Sequence, residues 1–322
     1  MGFRTYLRHF DYALLAAVAG LIAYGSLIIY SATHSDPDLS SPYYYVKIQL
    51  LAALFGSMGM AVIAFVDFRG LRNYRQHIYF GILGLILLLF IIGAEAKGST
   101  RWIPLGFFNL QPSEVAKVGM IVVLAAYLSE RVRGEQEART TLTALGIAAV
   151  PALLVFIQPD FGTALVLTAV TMALLFLYGT RWLHFGVIFA AVTGALLMMI
   201  QVLPLIGIQI LKPYQLDRLL VFLHPEHDPG GSGYHLLQSK IAIGSGMMAG
   251  KGLYQGTQTQ LNFLPEHHTD FVFSVLGEEL GFIGIAVLPA LYVLVIWRGL
   301  RIAIISENLF GSLIAGGVVS ML

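Results

Sequence analysis

The sequence contains no cysteine, and only 11% of its 322 residues are charged. The lack of cysteine excludes disulfides, iron–sulfur clusters and thiol catalysis, although it does not indicate the compartment. The scarcity of charge, with 57% hydrophobic residues and a mean hydropathy of +0.78, excludes a typical soluble domain. The net charge of +1 points to no particular partner. The composition instead indicates a polytopic integral membrane protein.

Long apolar runs fill most of the chain, and most of them approach the roughly 20 residues that a bilayer-spanning helix needs. They lie near residues 12–32, 44–66, 77–94, 113–129, 142–157, 162–178, 184–203, 271–296 and 309–322. These nine runs predict an all-α bundle. The chain shows no internal repeat, which favours a single transmembrane domain over residues 1–322. The last run reaches Leu322 in mid-span without a closing charge, which favours a fragment of a longer chain.

The distribution of arginine predicts the orientation in the membrane. Alternate connections carry Arg4 and Arg8, then Arg69, Arg72 and Arg75, then Arg131, Arg133 and Arg139, then Arg181, and finally Arg298 and Arg301. The positive-inside rule places these connections in the cytoplasm. The lysines, with Arg101 and Arg218, lie on the other side or within spans, which suggests that they meet anions there. The alternative is that long loops cross the membrane regardless of their charge.

The outer connection at residues 204–270, between spans seven and eight, is far too long for a simple hairpin. Its mixture of apolar stretches, glycines and charges predicts short amphipathic or re-entrant helices at the outer mouth of the bundle. The stretch 244–252 has the wrong spacing for a nucleotide phosphate loop. Its glycine-rich backbone, with Lys240 and Lys251 nearby, suits an anion such as a diphosphate. Flexible turns between short helices are the alternative.

Asp270 is the strongest catalytic candidate, because it lies where this outer loop enters a hydrophobic span. An aspartate in that place also serves as a helix N-cap, which is the structural alternative. The polar residues just before it, from Glu266 to Thr269, favour a functional site. Glu278 and Glu279 lie within the span itself, and we expect them to be partners of other buried polar groups.

Glu114 and Lys117 are a second pair of ionisable residues, three residues apart on one face of the fourth span. Ionisable groups at membrane depth are costly and favour a functional hypothesis. One interpretation is that the two residues only neutralise each other. The other is that Lys117 pairs with Asp270, which would keep that carboxylate ionised and oriented as a base requires.

Histidines and acidic residues of the outer loop raise the question of a metal centre. His224, His227, His267 and His268 share the loop with Glu226, Asp228 and Glu266, but no paired zinc-ligand spacing is present. We therefore predict no metal site built by the protein. A hydrated Mg²⁺ or another divalent cation, held mainly by substrate phosphates, would leave little trace in the sequence.

Several motifs occur in a consistent order along most of the chain. They are Gly98-Ser99-x-Arg101-Trp102-Ile103, Gln111-Pro112-Ser113-Glu114 with Lys117, Gln158-Pro159-Asp160-x-Gly162-Thr163, Gln238-Ser239-x-Ile241 to Gly246, Gly250-Lys251-Gly252, Gly256-Thr257-Gln258, and Leu264-Pro265-Glu266-x-His268-Thr269-Asp270-Phe271. On these motifs the chain resembles the SEDS (shape, elongation, division and sporulation) family. The Gly-Thr-Gln and Leu-Asn-Phe-Leu-Pro-Glu runs look more like the elongation branch than the division branch.

The resemblance implies a ten-helix bundle in the bacterial inner membrane, with its active face extracytoplasmic. It implies a peptidoglycan glycosyltransferase that polymerises lipid II for cell elongation and rod shape, releasing undecaprenyl diphosphate. The implied partners are lipid II, a class B penicillin-binding protein, the elongation machinery and membrane lipids, with no nucleic acid. A division-type paralogue and a lipid II flippase are the alternatives. A transporter would place polar groups near the membrane midplane, whereas here most of them lie at the outer mouth.

The resemblance also implies roles for individual residues. Asp270 corresponds to the essential aspartate and would be the general base, with Lys117 orienting it and Glu114 beside them. Because a diphosphate is a good leaving group, one base and a set of cations suffice, without a second carboxylate. The predicted substrate-binding residues are Arg101, Trp102, Gln111, Ser113, Asp160, Arg218, Ser239, Lys240, Ser245, Lys251, His268 and Thr269.

Overall fold

The computed structural model describes residues 10–34, 41–92, 94–96, 99–104, 109–131, 136–198, 232–260, 263 and 268–322. Helices make up most of this part of the chain. They are α1 Tyr12–Thr33, α2 Tyr44–Phe65, a 3₁₀ helix Phe68–Tyr74, α3 Arg75–Ile92, α4 Pro112–Ser129, α5 Glu137–Ile157, α6 Phe161–Tyr178, α7 Trp182–Leu197, α8 Ser232–Ser245, α9 Thr257–Gln260, α10 Val272–Ile305 and α11 Leu309–Met321.

The apolar runs of the sequence all contain helices, which confirms the predicted helical membrane protein. Seven helical stretches are long and apolar enough to cross a bilayer, and shorter apolar helices occupy Trp182–Gly194 and Leu309–Met321. The helix that contains the run near 271–296 continues beyond it, because α10 extends to Ile305. This extension carries Arg298 and Arg301 among apolar residues. In the outer loop, α8 and the short helix α9 agree with the prediction of short helices.

A small antiparallel sheet occupies the connection between α3 and α4. Its strands are β1 Ala94–Ala96, β2 Ser99–Pro104 and β3 Asn109–Leu110, in the order β1-β2-β3. Trp102 pairs with Ala94 across the first ladder, and Ile103 pairs with Leu110 across the second. The last strand ends one residue before Gln111, so the sheet fixes how the chain enters α4.

The described chain separates into two compact units. The first unit comprises Met1–Phe65 and Gly194–Val295, and the second comprises Val66–Thr193 and Ile296–Leu322. The prediction of one transmembrane domain stays a prediction.

The core of the second unit surrounds α4, which packs against α3, α5, α6 and α11. Its side chains Met120, Ile121 and Leu124 are almost completely buried. Small residues allow the helices to approach closely, as is usual where lipid removes the hydrophobic drive between helices. A Cβ atom on Gly317 of α11 would collide with Ile121, so glycine at this position sets how closely α4 and α11 pack.

Ion pairs connect the basic connections at one end of the second unit. Arg69 contacts Glu307 at 3.3 Å, both Arg72 and Arg75 contact Glu130, and Arg181 contacts Glu137 at 2.8 Å. These contacts join the connections before α3, before α5, before α7 and before α11. The arginine distribution predicts that these connections lie on one side of the membrane, and within the second unit the contacts bring them together.

The core of the first unit joins α1 to the beginning of α10. Ile28 and Ala32 of α1 pack with Val275 and Leu276 of α10, and all four are buried. Helix α10 is interrupted at Gly281, whose φ of 63° and ψ of −162° are not helical. That region of backbone space is essentially restricted to glycine. The first half of α10, Val272 to Leu280, is therefore a separate short helix.

The interruption frees backbone groups that a continuous helix would pair with each other, and the glycine-rich segment before α9 satisfies them. Lys251 N–H and Gly252 N–H donate to the carbonyl oxygens of Glu278 and Glu279, at 3.0 and 2.9 Å. In return, Phe282 N–H and Ile283 N–H donate to the carbonyl oxygens of Met247 and Met248, at 2.9 and 3.1 Å. We call this four-bond pairing the α10 splice. Unpaired backbone groups would be very costly in a membrane, so the break and the splice depend on each other.

Gly281→Ala should destabilise the protein, because alanine meets backbone strain of about 1–3 kcal/mol at this φ and ψ and its Cβ would also overlap the Met248 backbone. Gly84→Ala is the matched control, since Gly84 lies in α3 and a Cβ there would meet nothing within 4 Å. In thermal unfolding of the detergent-solubilised proteins, we expect a lowered Tm for Gly281→Ala and an unchanged or raised Tm for Gly84→Ala. Equal Tm values for Gly281→Ala and the unsubstituted protein would contradict the assigned backbone.

Candidate functional site

Asp270 lies in the turn of residues 268–271 that leads into α10. Its side chain is exposed, and within the described part of its own unit the carboxylate accepts no hydrogen bond and forms no ion pair. Two residues before it, the His268 ring stacks on Tyr45 of α2, with 3.9 Å between the ring centroids. This turn thus presents a carboxylate beside an ordered imidazole.

The structural alternative for Asp270, a helix cap, has no support in this geometry. Helix α10 begins at Val272, and the backbone N–H groups of Ser274 and Val275 donate to the Phe271 carbonyl oxygen. Asp270 therefore precedes the first helical turn by more than one residue, where its side chain makes no capping bond within the described part of the unit. An exposed carboxylate without a structural partner is a suitable general base.

Glu114 and Lys117 form an ion pair on α4, with 2.8 Å between Oε1 and Nζ. The Lys117 side chain is 14% exposed, whereas that of Glu114 is 55% exposed. The pair is therefore asymmetric, with a mostly buried ammonium held by a carboxylate that solvent or a ligand reaches. Lys117 belongs to the second unit and Asp270 to the first. The pairing of Lys117 with Asp270 stays a prediction.

Gln111, Ser113 and Asp160 meet in a buried polar cluster of the second unit. The Asp160 Oδ2 atom accepts hydrogen bonds from Gln111 Nε2 at 3.0 Å and from Ser113 Oγ at 3.2 Å. Its other oxygen accepts from the backbone N–H of Thr163, so Asp160 also caps α6. The Asp160 carboxylate thus ties the start of α4 to the turn between α5 and α6.

This cluster determines where Glu114 and Lys117 lie, since both follow Ser113 within the first turns of α4. Asp160 is 7% exposed and Ser113 is 3% exposed. Three predicted substrate-binding residues therefore bind one another. Their demonstrated contacts are positioning contacts, and their binding of substrate stays a prediction. Trp102, on strand β2, is 38% exposed and accessible to a ligand.

Lys251 occupies a different environment from the one expected of a free phosphate ligand. Its Nζ atom lies 2.6 Å from Glu278 Oε1 and 2.9 Å from Thr257 Oγ1. The backbone N–H groups of Lys251 and Gly252 belong to the α10 splice and are not available to an anion. The glycines here allow close backbone approach, as the sequence suggested, but the group approached is α10.

The remaining predicted residues are placed as follows. Ser239 and Ser274 share a buried hydrogen bond of 2.6 Å, which joins α8 to α10. Ser245 donates to the Ala242 carbonyl oxygen at 2.8 Å, and Lys240 is exposed. Arg101 lies in β2, but its side chain is outside the description, and Arg218 lies outside the described residues. Thr269 belongs to the same turn as Asp270.

Metal binding stays untested for the outer loop. The described residues contain no group of three histidine, cysteine, aspartate or glutamate side chains that could hold a metal ion. His224, Glu226, His227, Asp228, Glu266 and His267 all lie outside the described residues. Of the outer-loop histidines considered as metal ligands, His268 alone is described, and its ring stacks on Tyr45.

Comparison with known proteins identifies the chain's family. A family model for FtsW, RodA and SpoVE, described as cell cycle protein, matches residues 12–322. The chain belongs to this family, which is the SEDS family named by the motifs. It is 38% identical over 314 residues to peptidoglycan glycosyltransferase MrdB of Escherichia coli, covering 98% of this chain and 81% of the relative. It is 36% identical to the probable peptidoglycan glycosyltransferase FtsW of Trichlorobacter lovleyi, covering 97% and 81%.

Two solved structures are similar to this one. The first comes from a study of structural coordination of polymerization and crosslinking by a peptidoglycan synthase complex. It is 30% identical, with a TM-score of 0.74, and the match covers 97% of this chain and 84% of that chain. The second is the crystal structure of Thermus thermophilus rod shape determining protein RodA, at 24% identity, with a TM-score of 0.63 and coverage of 97% and 81%. The second likeness supports the fold alone.

Asp160→Ala should destabilise the second unit, because it leaves two donors without an acceptor and uncaps α6. Each buried donor left unpaired costs about 1–3 kcal/mol, and a lost cap costs about 0.5–2 kcal/mol. Asp67→Ala is the matched control, since Asp67 caps the 3₁₀ helix through the Arg69 N–H but is exposed. Chemical or thermal unfolding should show a large loss for Asp160→Ala and about 1 kcal/mol or less for Asp67→Ala. Similar losses in both would show that the cluster adds nothing beyond the cap.

Proposed function

We propose that this protein is a peptidoglycan glycosyltransferase that joins lipid II units into glycan strands. The observation that carries the proposal is 38% identity to glycosyltransferase MrdB over 98% of the chain. The exposed Asp270 carboxylate and the Glu114–Lys117 pair supply chemistry that this reaction needs. We assign the reaction to the outer face of the bacterial inner membrane, where the arginine distribution directs the loop that carries Asp270.

The proposed reaction is a single displacement. The 4-hydroxyl oxygen of a GlcNAc unit attacks the anomeric carbon of a lipid-linked MurNAc, and the bond from that carbon to the diphosphate oxygen breaks. The hydroxyl proton passes to Asp270, and undecaprenyl diphosphate leaves with the bonding electron pair. Direct displacement inverts the anomeric carbon. One carboxylate suffices because the diphosphate leaves without prior protonation.

Cations stabilise the negative charge that develops on the diphosphate. Lys117 is suited to orient Asp270, because its ammonium is mostly buried while its partner Glu114 is half exposed. Arg101, Arg218 and Lys240 are the proposed diphosphate ligands, with a hydrated divalent cation such as Mg²⁺ on the phosphates. Lys251 is the least suited of the predicted cations, since Glu278 already neutralises it.

A class B penicillin-binding protein is the proposed partner. The solved relative with the higher TM-score comes from a synthase complex that coordinates polymerization with crosslinking. Crosslinking requires a transpeptidase, which is the activity that a class B penicillin-binding protein would supply. The loop motifs, which look more like the elongation branch of the family, support a role in elongation and rod shape rather than division.

A lipid II transporter is the second candidate, and the interruption of α10 is the observation that favours it. Discontinuous helices commonly form transport sites, with backbone groups exposed to the substrate. In this chain the splice occupies four of the backbone groups at the break. That leaves the polar outer turn at Asp270 as the better place for chemistry, and the enzyme is the better supported function.

Asp270→Asn should abolish polymerisation and leave folding unchanged, because the side chain is exposed and removal of a general base costs about 10²–10⁴-fold in rate. The measurement is glycan polymer formed from lipid II by the full-length protein reconstituted with its transpeptidase partner. Thermal unfolding serves as the folding control. Undiminished polymer from folded Asp270→Asn would contradict the assignment of the base. Lipid II translocation without any polymer from the unsubstituted protein would favour the transporter.

Lys117→Met should lower polymerisation by at least about a hundredfold, as expected for loss of a group that orients the base. The substitution leaves Glu114 half exposed, so no carboxylate becomes buried without a partner, and the Tm should change little. Lys47→Met is the matched control, since Lys47 is an exposed lysine of α2 outside the proposed site. The same assay should give near-normal polymer for Lys47→Met. Near-normal activity of Lys117→Met would return the Glu114–Lys117 pair to a structural role.

A further inference from the structure

Glu278 is a fully buried carboxylate that the proposed reaction does not use. Its exposed fraction is 0%. Lys251 Nζ donates to Oε1 at 2.6 Å and Thr257 Oγ1 donates at 3.0 Å, while the backbone N–H of Gln258 lies 3.2 Å from both oxygens. Such a carboxylate is fully satisfied by partners from one short segment of the outer loop.

The partners of Glu278 lie on the far side of Asp270 in the sequence. Gln258 precedes Asp270 and Glu278 follows it, and the two residues are hydrogen-bonded to each other. The bonds from Thr257 and Gln258 to Glu278 therefore close the base of the loop that carries Asp270. From Val272 to Glu278 the chain is helical, so the closure lies about 9 Å along the helix from its beginning.

The segment that supplies these donors is itself held in a strained conformation. Met247 and Tyr254 both adopt positive φ values, 48° and 66°. Non-glycine residues keep such conformations only where the surrounding contacts over-determine them. Here those contacts are the α10 splice and a hydrogen bond of 3.0 Å from Tyr254 N–H to Ser31 Oγ. The segment is thus built to hold one geometry.

The charge of the Glu278–Lys251 pair also needs an explanation beyond stability. The desolvation penalty of burying an ion pair offsets much of its electrostatic attraction, and well-packed apolar residues often stabilise a protein as well or better. An ion pair with additional hydrogen bonds restricts the groups that form it to one relative arrangement. A positioning role accounts for a charged group at this depth.

We propose that Glu278 is a positioning residue that sets the location of Asp270, by binding Lys251, Thr257 and Gln258 and so closing the base of the Asp270 loop. Lys251 then acts through Glu278 and is not a ligand of the substrate diphosphate. This inference rests on the proposed function, since it gives Asp270 the role of base. The Glu278–Lys251 pair should therefore affect the rate of the chemical step and not the binding of substrate.

The test compares Glu278→Gln with Glu279→Gln in the full-length protein and its partner, using polymerisation of lipid II. Glu279 is the comparison residue, because it is almost as buried but its carboxylate accepts from Ser31 of α1 and from the backbone N–H groups of Tyr254 and Gly256, and not from Lys251, Thr257 or Gln258. For Glu278→Gln we expect kcat per folded molecule to fall at least tenfold, with KM for lipid II within threefold of normal. For Glu279→Gln we expect a lowered Tm with kcat within threefold.

Lys251→Met distinguishes the two roles considered for Lys251. If Lys251 acts through Glu278, kcat falls without a rise in KM, and the double variant Lys251→Met/Glu278→Gln is no slower than the worse single variant. If Lys251 binds the diphosphate, KM rises and the two effects add. Glu278→Asp should restore part of the lost kcat, because it keeps the charge on a shorter side chain.

A structural readout keeps the inference testable without activity. Since the chain has no cysteine, a spin label on Phe263→Cys reports on the Asp270 loop alone, and Phe263 is 41% exposed. We expect Glu278→Gln, or the milder Thr257→Ala if the former does not fold, to mobilise this label, and Glu279→Gln to leave it unchanged. An unchanged label with full kcat in the Glu278 and Thr257 variants would overturn the inference. An inactive unsubstituted protein would instead count against the proposed function.

Discussion

The pairing of backbone groups at the break in α10 is the constraint on which the first unit depends. In a membrane, a helix is interrupted only where other groups of the protein replace the lost hydrogen bonds. The segment from Met247 to Gly252 replaces four of them, and it is held close to α10 because Gly250 and Gly281 carry no Cβ. The outer loop is therefore part of the framework of this unit, and the turn that carries Asp270 is built on that framework.

Both units use the same device, a buried carboxylate that ties a loop to the start of a functional helix. In the second unit Asp160 gathers Gln111, Ser113 and the N–H of Thr163, which places Glu114 and Lys117 on α4. In the first unit Glu278 gathers donors from the loop that precedes Asp270. A carboxylate accepts several hydrogen bonds at once, which makes it a suitable centre for such a junction. In each unit the candidate catalytic residues follow or precede this carboxylate's partners in the chain and are not themselves bound to it.

The sequence predicted what depends on composition and local pattern, namely the apolar helices, the short helices of the long loop, and the grouping of the basic connections in the second unit. It also identified Asp160, Lys251, Glu278 and Glu279 as unusual. It did not show which residues these bind, because the partners are distant in the chain: Ser31 binds Glu279, and Gln111 binds Asp160. The break at Gly281 was missed for a similar reason, since a glycine in an apolar run is ordinary until its φ is known. The glycine-rich stretch approaches α10 closely, and its binding of an anion stays a prediction.

Two lysine–glutamate pairs with nearly equal distances differ in what they can do. Lys251 and Glu278 lie 2.6 Å apart with the carboxylate fully buried, so separating them would leave a buried negative charge without a counterion. Lys117 and Glu114 lie 2.8 Å apart, but Glu114 is half exposed and gains water readily when Lys117 leaves it. The Lys117 ammonium is therefore free to exchange its carboxylate partner at modest cost, as a residue that orients a base during a reaction must. Burial of the carboxylate, more than the ion pair itself, separates a pair suited to fixing a structure from a pair suited to the role proposed for Lys117.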